Sequence, residues 1–169
     1  MHTHLLALVL CTLALWLPQN VMHEGAHTVV HWLIGDKITG FWPLPGWKTG
    51  GFTFAHMTYR RPHPVSSESD AIASCIPQLS NTAVLLVLLP LHLHSLGVLP
   101  VAWAIVNFAD GAANLGTFYR AMPKHTTDGW HTAKLLSLNP WSCRAVALVW
   151  HLLMGVHVGF LVREVLSSS

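Results

Sequence analysis

Residues His23 to His27 read HEGAH, a His-Glu-x-x-His spacing set among Val, Met, Trp, Leu and Ile. On a helix, side chains four apart share a face, so two neutral imidazoles can meet one Zn²⁺. The glutamate beside the first histidine then reaches a water on that ion. The chemistry this permits is hydrolysis. Zinc lowers the pKa of its water toward about 7 and polarises the carbonyl under attack, while Glu24 takes the proton and passes it to the leaving amine. With 13 histidines in the chain a fortuitous pairing has to be weighed, but Asp and Glu together number only 7. A charged group inside an apolar helix costs about 3 kcal/mol and marks a functional site by default. A catalytic zinc also needs a third protein ligand and an open position. His31, one turn beyond His27, is too far along a straight helix and reads as a packing or interfacial histidine. Two Asp-Gly pairs remain, Asp110-Gly111 in NFADGAANL and Asp128-Gly129 in MPKHTTDGW.

The elements that must hold these groups are apolar. The 169 residues are 52% hydrophobic and 9% charged, against roughly 25% charged in soluble domains. The length fits a single domain, residues 1–169. Long apolar runs, LLALVLCTLALWLPQNVM, AVLLVLLPLHLHSLGVLPVAWAIV and AVALVWHLLMGVHVGFLV, predict an all-α polytopic membrane protein. Four spanning or near-spanning helices are expected, at about 5–34, 71–91, 98–119 and 145–162. Ser69 or Asp70 is the expected cap of the second. No Lys or Arg precedes the first run and no small-x-small site follows Trp16, so it reads as a retained helix rather than a cleaved leader. Between the first two helices, ITGFWPLPGWKTGGFTFAHMTYRRP carries two stretches rich in Thr, Phe, Trp and Tyr around a Pro/Gly turn, which predicts a β-hairpin over about 37–60.

Charge sorts by loop. Lys37, Lys48, Arg60 and Arg61 fall in one inter-helix segment and Arg120, Lys124, Lys134 and Arg144 in another, whereas 91–100 has none. The positive-inside rule then puts both basic loops, and the zinc end of the first helix, toward the cytosol, with the N-terminus outside. A net charge of +2 and no basic cluster interleaved with aromatics exclude a nucleic-acid partner. Cys11, Cys75 and Cys143 lack metal or redox spacing and read as embedded thiols. His151 and His157, six apart, lie on different faces and cannot share a metal, and His92 and His94 read as interfacial.

These motifs together resemble the site-2 protease family of intramembrane zinc metalloproteases. The family pattern is HExxH on an early transmembrane helix and, much later, N-x-x-P-x-x-x-x-D-G. Here HEGAH spans 23–27, and PKHTTDG from Pro123 to Gly129 keeps the proline-to-aspartate spacing. The resemblance implies one Zn²⁺ per chain held by His23, His27 and Asp128, with Glu24 as general base. The substrate would be a membrane protein or peptide cut in or beside the lipid bilayer, by a core without a regulatory domain. It also implies a membrane-associated hairpin near the site, and close helix packing through ASCIPQLSNTA. Asp110 lacks a proline five residues earlier and is the alternative third ligand. The pattern departs from the family at Arg120, where the asparagine is expected, and at Thr127. Oxyanion stabilisation would then fall to Arg120, Asn107 or Asn114, and His125 and His131, which flank Asp128, are candidates for contacts around the site. Two rivals remain: a non-catalytic membrane metal-binding protein or transporter, and a bis-histidine haem bundle, neither of which needs Glu24.

Overall fold

A computed structural model describes residues 2–48, 51–53, 55–88, 97–114 and 128–167. The elements are α1 (His2–Leu33), β1 (Lys37–Trp42), β2 (Gly46–Lys48), β3 (Gly51–Thr53), β4 (His56–Arg60), α2 (Ser67–Leu88), α3 (Val98–Asn114), α4 (Asp128–Leu135) and α5 (Pro140–Ser167). Three helices, α1, α2 and α5, are long and apolar enough to cross a membrane. Their outward faces carry exposed Leu10, Leu13, Val149, Leu152 and Phe160. An apolar surface of that kind suits lipid and is unusual on a soluble monomer, so the chain is built as a membrane protein. Each element resembling the expected first, second and fourth helices is present with shifted ends. The third is described only to Asn114, so 115–119 lie outside the described residues, as do 89–91 of the second. Its 17 described residues are fewer than the ~20 a bilayer needs.

α3 is the packing centre, set against α1, α2 and α5. Val101, Ala102, Ala104 and Val106 are at most 1% exposed, and Leu8, Leu85, Met154, Val158 and Leu161 close around α3 to form the apolar core. α4, which the periodicity does not predict, packs on α2 and α5.

Local signals fix the ends. α1 stops because Gly35 takes a left-handed φ of 90°. Asp36 N–H then bonds His31 O at 2.9 Å and Gly35 N–H bonds Trp32 O at 3.1 Å, the paired bonds of a Schellman ending. That turn swings Asp36 back beside His31. Ser66, rather than Ser69 or Asp70, caps α2: its Oγ accepts from Ser69 N at 3.2 Å, because the helix begins earlier than the apolar run does. Asn139 Oδ1 accepts from Trp141 N at 2.9 Å and Ser142 N at 3.3 Å, capping α5 ahead of Pro140 at its first position.

The expected hairpin is present as two antiparallel ladders in succession. β1 pairs β4 from Lys37↔Arg60 to Trp42↔His56, with an irregularity between Ile38 and Gly40, and β2 pairs β3 from Gly46↔Thr53 to Lys48↔Gly51. Asn20 of α1 donates through Nδ2 to Pro43 O at 3.2 Å, tying the break between the ladders to the helix that carries HEGAH. A second tie lies at the helix end. Asp36 accepts from His31 Nδ1 (2.8 Å) and from Arg61 through Nε (3.1 Å) and an Nη (3.0 Å), and Arg61 also reaches Asp70 at 2.7 Å. The Arg61 guanidinium beside Asp36 holds its carboxyl below the usual carboxylate range. His31 stacks on Tyr59 at 3.9 Å, so this histidine joins the helix, hairpin and α2, as a packing residue would.

Candidate metal centre

His23 and His27 project from one face of α1, with ring centroids 5.1 Å apart. Asp128, the first residue of α4, meets them across the bundle. Its Oδ2 lies 3.3 Å from His23 Nε2 and 3.4 Å from His27 Nε2, and the three residues form the group able to hold a metal ion. Those separations are long for an N–H···O hydrogen bond. They match the ~3.3 Å expected between two donor atoms each about 2.0–2.1 Å from one tetrahedral ion.

Protonation makes the same point. His23 Nδ1 donates to Asp110 Oδ2 at 2.9 Å, and His27 Nδ1 donates to Ala73 O at 2.6 Å. Both partners are acceptors, so each proton is on Nδ1 and each Nε2 presents a lone pair. Two lone pairs and a carboxylate oxygen converge. Protonating both Nε2 atoms as well would set two imidazolium ions side by side in a buried site, whereas one cation satisfies all three donors. Gln78 Nε2 also donates to Asp128 Oδ2 at 2.9 Å. The residues present therefore fit a metal with two nitrogen donors and one oxygen donor.

Glu24, 8% exposed, lies on the same turn as His23. Asp110 lies partly buried on the far side of that imidazole. Its Oδ2 also accepts from Gln19 (2.9 Å) and Asn81 (2.7 Å), and its Oδ1 from Asn114 (2.7 Å). The geometry thus separates the two Asp-Gly pairs: Asp128 meets both Nε2 atoms, and Asp110 orients one ring from outside, as carboxylates behind metal-bound histidines do.

The other candidates are distributed differently. Asn107 donates to Trp103 O at 2.9 Å and Asn114 is bonded to Asp110. His131 is exposed on α4. Arg120, Pro123, His125 and Thr127 lie outside the described residues, and so do His92 and His94. His151 is buried, with Nδ1 donating to Ala147 O at 2.8 Å. Gln19, Gln78, Asn81 and Ala73 O are the participants that the sequence reading missed. Gln19 stands four before His23, and Gln78 and Asn81 are three apart, so helical spacing was the available signal. No protein-family model, curated protein or solved structure matches this chain.

Proposed function

We propose that this chain is a zinc-dependent intramembrane endopeptidase in a single domain, cutting a membrane protein or peptide in or near a transmembrane segment. The observation that carries the reading is the convergence of His23 Nε2, His27 Nε2 and Asp128 Oδ2 beside Glu24, within a bundle whose outer faces suit lipid. A zinc ion held there supplies a Lewis acid and a water acidic enough to be deprotonated near neutral pH. Glu24 would accept a proton from the attacking water at its carboxylate as the water oxygen bonds to the scissile carbonyl carbon, and would return it to the amide nitrogen as the C–N bond breaks. Asp110 and Ala73 O keep both Nδ1 atoms protonated, so the Nε2 lone pairs stay available. Gln19 Oε1 and Gln78 Oε1 are buried without hydrogen-bond partners among the described residues, acceptors that suit ordered water near the site.

A helical substrate hides its carbonyls in its own hydrogen bonds, so it must unwind to be cut. Among the described residues the β1–β4 sheet has two strands, and an unwound segment could add to its edge. We read α3 as the fourth span, the N-terminus as outside and the metal end of α1 as cytosolic, on the loop charges. The test is cleavage of transmembrane peptides reconstituted in liposomes. Zinc-dependent products from the native chain and none from Glu24→Gln support the enzyme. Bound zinc with no Glu24-dependent cleavage across a broad peptide set would favour a non-catalytic metal protein or transporter.

A further inference from the structure

We infer that Pro77 is a positioning residue for the metal centre, because its missing N–H leaves the Ala73 carbonyl free to accept the Nδ1 proton of His27. The inference rests on the metal-centre reading above. In a continuous α-helix the carbonyl of residue i accepts from the N–H of residue i+4. For Ala73 that residue is Pro77, inside α2. Proline has no N–H, and its ring presses on the carbonyl four residues back, turning it away from the helix.

A buried carbonyl freed in this way needs another donor. Ala73 is 0% exposed and Pro77 is fully buried, so bulk water does not serve. The donor that the fold supplies is His27 Nδ1, at 2.6 Å. The two metal-facing histidines are therefore oriented by unlike devices: His23 by the Asp110 carboxylate of α3, and His27 by a main-chain oxygen of α2. A sequence comparison of side chains would find the first and overlook the second. A proline in a helix interior is costly, and here the cost coincides with the one carbonyl that the ligand needs.

Restoring the N–H should undo this. Pro77→Ala lets residue 77 bond Ala73 O within α2, draws that oxygen back into the helix and leaves His27 Nδ1 without a fixed acceptor. His27 then samples both neutral tautomers, and one of them carries a proton where the metal should bind.

The experiment compares three full-length, detergent-purified chains: native, Pro77→Ala, and a semisynthetic chain with lactic acid at position 77. The last has alanine's methyl on an ester and no N–H. Zinc affinity is read by chelator competition, and the His27 tautomer by ¹⁵N spectra of histidine-labelled, metal-free protein, assigned with His27→Gln. The expected result is zinc binding weakened about tenfold in Pro77→Ala, within the range for lost partners of metal-bound histidines. A mixed His27 tautomer should accompany it, and both values should return to native in the ester chain. Equal affinity in native and Pro77→Ala would overturn the inference. So would a weakened site with an unchanged His27 tautomer, or an ester chain that behaves like alanine. If the native chain binds no zinc, the metal-centre reading fails, and the tautomer comparison still decides the role of Pro77.

Discussion

Asp110 offers the sharpest test of how the centre is held. Its carboxylate accepts four side-chain hydrogen bonds, from His23, Gln19, Asn81 and Asn114, at 2.7 to 2.9 Å. Asp110→Asn keeps the shape and one acceptor oxygen. With that oxygen in the Oδ2 position, His23 retains its partner, while the new NH₂ faces the Asn114 amide donor. Asn114 also donates to Asp110 O at 3.1 Å, which softens the loss. Leaving one buried donor unmatched costs about 1–3 kcal/mol of stability. Asp110→Ala is harsher, since His23 Nδ1 then has no acceptor and its tautomer is no longer fixed. Losing such a partner costs 10–100-fold in metal affinity, about 1.4–2.7 kcal/mol. We therefore expect zinc binding to fall roughly tenfold in the asparagine variant and toward a hundredfold in the alanine variant. Chelator competition reads the affinity, and thermal unfolding of the metal-free chains reads the fold. An alanine variant that stays folded and binds zinc within threefold of native would refute the assignment of Asp110 as the orienting group.

Glu24→Gln should retain zinc and lose at least about a hundredfold in cleavage rate, the usual range for a general base, measured by single-turnover product formation; zinc loss instead would make Glu24 a structural partner. Asp36 is 4% exposed and its folded pKa is lowered, chiefly by the Arg61 hydrogen bonds. Its contribution is present above the unfolded pKa of about 3.9 and is lost as pH falls through the lower folded value. Hydrogen exchange of the 37–60 segment should therefore rise in acid. The acid response should be absent in Asp36→Asn, and Asp36→Ala should cost about 1–3 kcal/mol, because the His31 and Arg61 donors lose their shared acceptor in a partly buried site. At Gly40, an added Cβ meets the Trp42 ring, so Gly40→Ala should displace that indole, visible as an altered Trp emission, with HEGAH and zinc affinity unaffected.

The local parts of this structure were legible because their signals are local. The apolar runs placed α1, α2 and α5, and the Thr/aromatic stretches around PLPG placed the hairpin. HEGAH fixed two of the three converging side chains through helical spacing alone. What stayed out of reach was set by contacts between distant residues. His23 meets Asp110 across 87 positions and His27 meets Ala73 across 46, and no periodicity encodes those pairings. The two Asp-Gly pairs were indistinguishable in local pattern, and the proline spacing that favoured Asp128 came from resemblance rather than from physics. α4 escaped notice because its eight residues, DGWHTAKL, are too few and too polar to show an apolar face. Pro77 stands in plain view within ASCIPQLSNTA, but its use depends on which side chain faces Ala73 O.

His23, His27 and Asp128 are proposed to hold one metal ion. The most direct measurement is zinc content and affinity of the detergent-purified chain, native against Asp128→Ala, under metal-replete conditions. About one zinc per native chain is expected, as a site of three protein ligands requires, with near-complete loss when Asp128 is removed. A native chain without zinc, or zinc retained unchanged in Asp128→Ala, would contradict the proposal.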